Sequence, residues 1–202
     1  MTERDRPRQP VRGMDLADLD WPVSTDRLTI RPATASDADA TWGYHRLEAV
    51  CRWMTYLSSS ADEHRVRFTD PLRLGRTLVI EHGGTVIGDG KIDIEDPWAQ
   101  NEVVEQARRT QAELGWCLDP GYTGRGYATE AVAEMIRICF EELGLRRVTA
   151  LCFADNEPSW RLMERVGMRR EAHYVADSLH RSKGWVDGFE YALLAGEWRA
   201  RR

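Results

Sequence analysis

The sequence predicts an α/β domain, and three observations carry that prediction. Short β-rich runs alternate with stretches of helical spacing along most of the chain. The 202 residues suit one domain, and 42% hydrophobic residues with eight Trp can supply its core. The third observation is one stretch, Leu118–Glu130 (LDPGYTGRGYATE). It joins an apolar run that reads as a strand, Ala112–Leu118 (AELGWCL), to a helix. On that helix Ala128, Ala131, Val132, Met135, Cys139 and Leu143 share a stripe, and Gly144 supplies the stop.

Taken in order, residues 1–23 read as a flexible extension. MTERDRPRQPVRG is polar, holds Pro7 and Pro10, and has no apolar segment of the kind a secretory signal needs. Met14, Leu16, Leu19 and Trp21 either stay with this loose tail, the expectation here, or dock on the domain or a second subunit. The domain spans residues 24–198, and residues 199–202 are a tail. Thr25–Pro32 alternates Leu28 and Ile30 with Thr29 and Arg31 and reads as a strand with one buried face. Ser36 reads as a helix N-cap with Asp37 and Asp39 in the first turn. Ala38, Trp42, His45, Ala49 and Trp53 then form one stripe, on which His45 reads as a core or groove histidine rather than a catalyst.

Leu57–Asp70 is polar and predicts a short helical or irregular piece. Arg76–His82 and Thr85–Ile94 are strands joined by Gly83-Gly84 as a two-residue hairpin. Gly88 and Gly90 mark a bulge or a close backbone approach. Asp93 and Glu95 read as a solvated strand face; the alternative is that they meet an incoming ammonium. Glu95–Gln111 is a long polar connection. After the central helix, Arg147–Phe153 is a strand, and Asp155, Asn156 and Pro158 open a short helix that Gly167 ends. Met168–Tyr174 and Gly188–Leu194 are the closing strands, the second alternating Phe189, Tyr191 and Leu193.

Composition removes several function classes. No apolar run approaches the ~20 residues of a membrane helix. Cys51, Cys117, Cys139 and Cys152 are scattered within apolar patterns, which points to reduced thiols in a cytoplasmic protein rather than a disulfide framework or a zinc site. No metal is expected. A net charge of −5 disfavours nucleic acid as a partner. A monomer or homodimer fits equally.

The glycine loop carries the chemistry. Glycine lets the backbone take positive φ and approach a bulky anion, and the first turn of a helix leaves N–H groups unpaired at the positive end of its dipole. A strand–glycine loop–helix unit is therefore a phosphate or diphosphate site; otherwise it is a tight turn without a ligand. Neither GxxxxGK[ST] nor GxGxxG is present. The pattern is GxxGxG, Gly121 to Gly126, followed by Tyr-Ala-Thr-Glu-Ala.

That pattern resembles motif A of the GCN5-related N-acetyltransferases (GNAT), with Gly121 standing where the family usually has Gln or Arg. TDRLTIRPATASDADA, ADNEPSWRLMERVGM and GWVDGFEYALLAGEW resemble the RimJ/RimL-type branch, so the likeness runs from Ser24 to Trp198. It implies a GNAT fold: a mixed, mostly antiparallel, V-shaped sheet of about seven strands with helices on both sides. It implies acetyl-CoA as acyl donor, its diphosphate on Thr123, Gly124, Arg125, Gly126, Tyr127 and Ala128. Trp116, Cys117 and Leu118 would line the cofactor arm through main-chain atoms of a splayed strand, and Asn156 would hold that arm. Ser159 would hydrogen-bond the coenzyme sulfur. The tyrosine acid common in other members is replaced by Met163, which leaves Ser159 as proton donor. Asn156 and Ser159 have a plainer reading as helix caps. Cys117 reads as an inert buried thiol rather than a nucleophile. Glu113, beside the expected splay, is the first candidate base, and Asp177, where relatives carry a suspected carboxylate, is the second.

The expected function is N-acetyl transfer from acetyl-CoA to a primary amine, of a peptide N-terminus or a small molecule, by direct attack in a ternary complex. A coenzyme-binding regulatory module without turnover, a nucleotide-phosphate binder and an acyltransferase of a small amine or antibiotic are the alternatives. A thiolate leaves with a pKa near 8.5, so a weak donor such as Ser159 suffices. An α-amino group, at about 7.7–8.0, also asks less of a base than a lysine at about 10.4.

Overall fold

The computed structural model describes residues 14–201. Its centre is one eight-stranded sheet, ordered β1-β2-β3-β4-β5-β6-β8-β7. The strands are β1 (Val23–Ser24), β2 (Thr29–Pro32), β3 (Thr77–His82), β4 (Thr85–Glu95), β5 (Gln111–Leu118), β6 (Arg147–Phe153), β7 (Arg169–His180) and β8 (Gly184–Leu194). All neighbours are antiparallel except β5 and β6. The sheet has one strand more than the seven expected. The extra strand, β1, straddles the end of the segment read as a flexible extension, with Val23 inside it and Ser24 just beyond. Leu16 is buried, and Met14, Leu19, Trp21 and Val23 pack on the main core, so residues 14–23 are docked. Their apolar residues had a sheet edge to cover, which charge density alone did not reveal. The first thirteen residues of that extension lie outside the described residues.

Alternation puts Leu78 and Ile80 on one face of the sheet and Val79 on the other. The first face packs on α6 (Tyr127–Arg137) through Ala131, Val132, Met135 and Ile136, all at most 1% exposed. The helix continues through one π-type stretch, Ile138–Glu142, and stops at Gly144, where φ is +66°. The other face is covered by α1 (Ala38–His45), α2 (Glu48–Cys51), α3 (Ala61–Phe68) and α4 (Pro71–Leu74). Short α5 (Val104–Ala107) lies in the connection before β5, α7 (Glu157–Arg165) follows β6, and α8 (Ala195–Arg199) ends the chain.

Several local expectations shift. Residues 25–28 form a turn, so β2 is shorter than Thr25–Pro32. Thr34, not Ser36, opens the first helical turn. Asp37 accepts hydrogen bonds from the Thr34 amide and hydroxyl and pairs with Arg31 at 2.8 Å. Burial would raise the Asp37 carboxyl, but these partners outweigh it and hold it below the usual range. The helical stripe breaks after His45, and Ala49 faces solvent while Val50 and Cys51 are buried. The Gly83-Gly84 hairpin is present with both glycines at positive φ, +57° and +79°. β7 and β8 run well past the expected strands. Their tip folds back, with His180 Nε2 2.9 Å from the Arg52 carbonyl and Arg181 donating to the Met54 carbonyl at 2.6 Å.

His64 on α3 is 1% exposed and shares a 3.0 Å hydrogen bond with Thr41. Burial, helped by neighbouring His45, pushes its imidazole down to about 4. Unfolded, it would bind a proton near 6.5; folded, it refuses one until about pH 4. Protons therefore favour unfolding between those values, by roughly 3 kcal/mol at the acid end. In urea titrations, wild type should lose stability as pH falls from 6.5 to 4, and His64→Leu should lose less. Parallel pH profiles would refute a buried neutral His64.

Candidate active site

The parallel pair β5–β6 is the feature on which the site is built. The two strands pair only at Gln111–Arg147, Ala112–Val148 and Glu113–Thr149, then part. Each keeps its other neighbour to the end, β4 for β5 and β8 for β6. From Leu114 onward the facing main-chain groups have no strand partner, and they border a cavity of about 870 Å³. The first turn of the helix after β5 and the helix after β6 both line this wedge. The expected V is thus present, with Glu113 at its apex.

At the open end of β5, Asp119 accepts a hydrogen bond from the Gly121 amide and starts a tight turn, Pro120–Tyr122. Thr123–Gly126 follows, exposed, with φ +74° at Gly124 and +82° at Gly126. Gly121 itself needs no positive φ, which explains why the loop forms with glycine where Gln or Arg is usual. Among the described residues, no backbone N–H from Gly124 to Thr129 has an acceptor; the first helical bond is Glu130 N to Gly126 O. Six amides thus stand unpaired at the helix start. Arg125 and Arg165 flank them, and neither has a carboxylate partner among the described residues. A polyanion fits this donor set.

The loop is fixed from behind. Glu130 is held by Arg27 at 2.6 Å and by Thr25, and Arg27 donates a further bond, 2.9 Å, to the Arg125 carbonyl. The Arg27 guanidinium lies 4.7 Å from the centre of the Tyr127 ring, which packs at a tilt against His82. The turn between β1 and β2 therefore braces the glycine loop, a connection invisible in the local sequence.

On the other side of the wedge, Asn156 is the N-cap residue of α7, yet its side chain makes no capping bond and lines the cavity. The cap reading therefore fails for Asn156. Ser159 lines the same wall near the Cys152 thiol, which burial pushes up to about 11 against a smaller lowering by Ser159. Trp116, Cys117 and Leu118 border the cavity from β5, as do Thr123, Gly124, Gly126, Tyr127 and Ala128 from the loop and helix. Burial raises the Cys117 thiol well above its ordinary value, as do nearby Asp89 and Asp119, so it is a protonated thiol and a poor nucleophile.

The two candidate bases separate. Glu113 lines the cavity, but Lys91 holds its carboxylate at 2.7 Å. Asp177 does not line it. It sits exposed on β7, where the pairing with β8 is irregular, and accepts from Ser178. Asp187 bonds the Ala176 amide and His173, which makes it a hairpin brace. Asp93 pairs with Arg76 rather than facing open solvent. Glu95 is raised by burial and by Glu113.

Residues that local reading missed complete the cavity. Thr129 and Arg165 join the anion end, and Asp89, Tyr56 and Arg73 join the other. Asp89 Oδ1 accepts from Tyr44 at 2.8 Å and lies 2.7 Å from His45 Nε2, so His45, buried behind the cavity wall, is the hydrogen-bonded core histidine of the two readings offered, core or groove. The one signal for Asp89 was its place between Gly88 and Gly90 on a strand.

A sequence family described as an acetyltransferase (GNAT) domain matches residues 27–169. The Bacillus subtilis protein named uncharacterized N-acetyltransferase YnaD is 38% identical over 86 residues; these make up 43% of this chain and 50%, or half the length, of that relative. Among solved structures, a GNAT-family acetyltransferase from Bacillus anthracis is similar with TM-score 0.74 and 26% identity, covering 88% of this chain and 100% of the other. Mycobacterium smegmatis RimJ, solved in complex with CoA-disulfide, is similar with TM-score 0.67 and 26% identity over 84% of this chain and 83% of its own. No helix among the described residues is long and apolar enough to cross a membrane.

Proposed function

Because the chain belongs to the GNAT acetyltransferase family, whose members use acetyl-CoA, we propose that it transfers an acetyl group directly from acetyl-CoA to a primary amine. The observation that carries this reading is the run of unpaired amides from Gly124 to Thr129, placed at the mouth of the β5–β6 wedge. In this reading Thr123, Gly124, Arg125, Gly126, Tyr127 and Ala128 hold the coenzyme's diphosphate, with Arg165 supplying a second cation. The open edge of β5 at Trp116, Cys117 and Leu118, with Asn156 opposite, holds the pantetheine arm through main-chain and amide hydrogen bonds.

Acetyl-CoA supplies an activated acyl group on a thiolate leaving group. The chain's contribution is mostly position: oriented partners reach effective molarities on the order of 10⁵–10⁸ M. Amides on the open edge of β5 would face the developing oxyanion, and fixed donors there need no reorganisation during reaction. Ser159 donates a proton to the departing sulfur. The acceptor is an amine of a peptide N-terminus or of a small molecule, and the cytoplasm is the proposed location.

Calorimetry with CoA and with ATP, followed by CoA release from acetyl-CoA with an amine panel, tests this reading. Binding of CoA but not ATP, with amine-dependent release, is expected; preference for ATP would contradict it. Ser159→Ala should lower kcat about tenfold or more while CoA affinity stays within about twofold. An unaltered rate would remove the serine from the reaction.

A further inference from the structure

Two charged groups at the far end of the cavity lack a counter-charge on the cavity side. Asp89, on β4 opposite Cys117, is tied through Oδ1 to Tyr44 and to His45. Among the described residues, its Oδ2 receives no hydrogen bond, although the side chain is 16% exposed and lines the cavity. Arg73, from α4, lines the same cavity. Its guanidinium lies 4.3 Å from the centre of the Tyr56 ring, and no carboxylate among the described residues pairs with it. Of the other charges lining this end, Lys91 pairs with Glu113 and Arg76 with Asp93; exposed Arg67, outside the cavity lining, also lies 4.1 Å from the centre of the Tyr56 ring. Tyr56 spans the gap between the two, with its ring under Arg73 and its hydroxyl 3.5 Å from His45 Nδ1.

We propose that Asp89 and Arg73 are the two ends of the acceptor seat, Asp89 for an ammonium and Arg73 for a carboxylate of the same small molecule. The acceptor class is then an amino acid or a close analogue, not a polycation and not a long peptide. This rests on the coenzyme placement given above and narrows its acceptor. Tyr44 and His45 hold one oxygen of Asp89, which aims the other. A charged hydrogen bond is about twice as strong as a neutral one, and a guanidinium fork matches a carboxylate bidentately. A second ammonium in place of the carboxylate would face Arg73 directly, a like-charge contact that rejects polyamines.

The seat also settles where the proton goes. The bound ammonium gives one proton to Asp89 and becomes a neutral amine. Its nitrogen bonds to the thioester carbonyl carbon as the carbon–sulfur bond breaks. A second nitrogen proton neutralises the departing thiolate by way of Ser159, and Asp89 returns its proton to solvent. Glu113, occupied by Lys91, stays a bystander that fixes the apex of the wedge.

The test is an acceptor panel at saturating acetyl-CoA: the common α-amino acids, their α-amides, N-terminal hexapeptides, spermidine and an aminoglycoside, read by CoA release and product mass. At least one amino acid should exceed its own amide, every peptide and every polycation by tenfold or more in kcat/KM. Arg73→Gln should shrink that acid-to-amide ratio about tenfold, mainly through KM. Asp89→Asn should lower kcat about a hundredfold with CoA affinity retained. The proposal is overturned if an amide, peptide or polycation is the best acceptor, or if Arg73→Gln leaves the ratio unchanged. It is overturned equally if CoA binds and no amino acid is modified. Failure to bind CoA at all would instead sink the coenzyme placement, and this proposal with it.

Discussion

Ala128→Glu is expected to weaken CoA binding at least a hundredfold without loss of fold. Ala128 lies in the first turn of α6, half-buried and bordering the cavity. An acidic side chain in a first turn is favourable for the helix itself, by about 0.3–1 kcal/mol. The same charge placed among the unpaired amides would occupy them and repel a diphosphate. Stability and binding should therefore move in opposite directions, an outcome that general damage to the protein does not produce. Gly126→Trp is the steric companion. Its φ of +82° disfavours any side chain, and a Cβ there would sit 3.3 Å from Arg27 Nη2, so this variant should lose some stability as well as binding. A thermal melt and a calorimetric titration of both variants decide the matter. Normal CoA affinity in Ala128→Glu would contradict the loop assignment.

Gly88→Val is expected to destabilise the fold by about 3 kcal/mol. A Cβ at Gly88 would lie 2.5 Å from the Cys117 carbonyl oxygen and 3.3 Å from the Leu118 Cα. These are backbone atoms of β5, so relief requires moving the strand. The glycine adjoins the bulge where β4 shifts register between Ile80 and Glu81, and the neighbouring Ile87 carbonyl accepts the Asp119 amide at 2.8 Å. Displacing β5 here would push it into the wedge and misplace the start of the glycine loop. CoA affinity should fall with stability. Gly90→Ala is the useful contrast: its Cβ would meet Met135 Sδ at 2.8 Å, the flexible end of a side chain that can give way. The cost there should be about 1 kcal/mol. Urea unfolding of the two variants checks the order, and equal stability would mean that strand contact at Gly88 is not the constraint.

The glycine loop, the hairpin at Gly83-Gly84 and the helix from Tyr127 were legible in the chain because each is a local device. Positive φ, a two-residue turn and a 3.6-residue stripe all leave their mark within about ten residues. The docked strand at Val23 was not legible, since its two residues, paired with nearby β2, are too few to show an alternating pattern. Thr34 displaced Ser36 as cap through a local device of another kind: Asp37 accepts from the Thr34 amide and hydroxyl and pairs with Arg31 on β2. The site divides likewise. Its anion end is written in Gly124–Ala128, while Arg165, Asp89 and Arg73 reach the cavity only through strand register and the crossing of α4 and α7. Glu113 was placed correctly beside the splay, but its partner Lys91 stands on another strand. Asp177 fell on the exposed edge because β7 continues past Tyr174.

A crystal structure of the protein with CoA tests the central claim most directly. Diphosphate oxygens should accept hydrogen bonds from main-chain amides between Gly124 and Ala128, with the pantetheine arm lying between β5 and β6 and its sulfur near Ser159. A diphosphate seated elsewhere, with the wedge closed by the protein's own side chains, would contradict it.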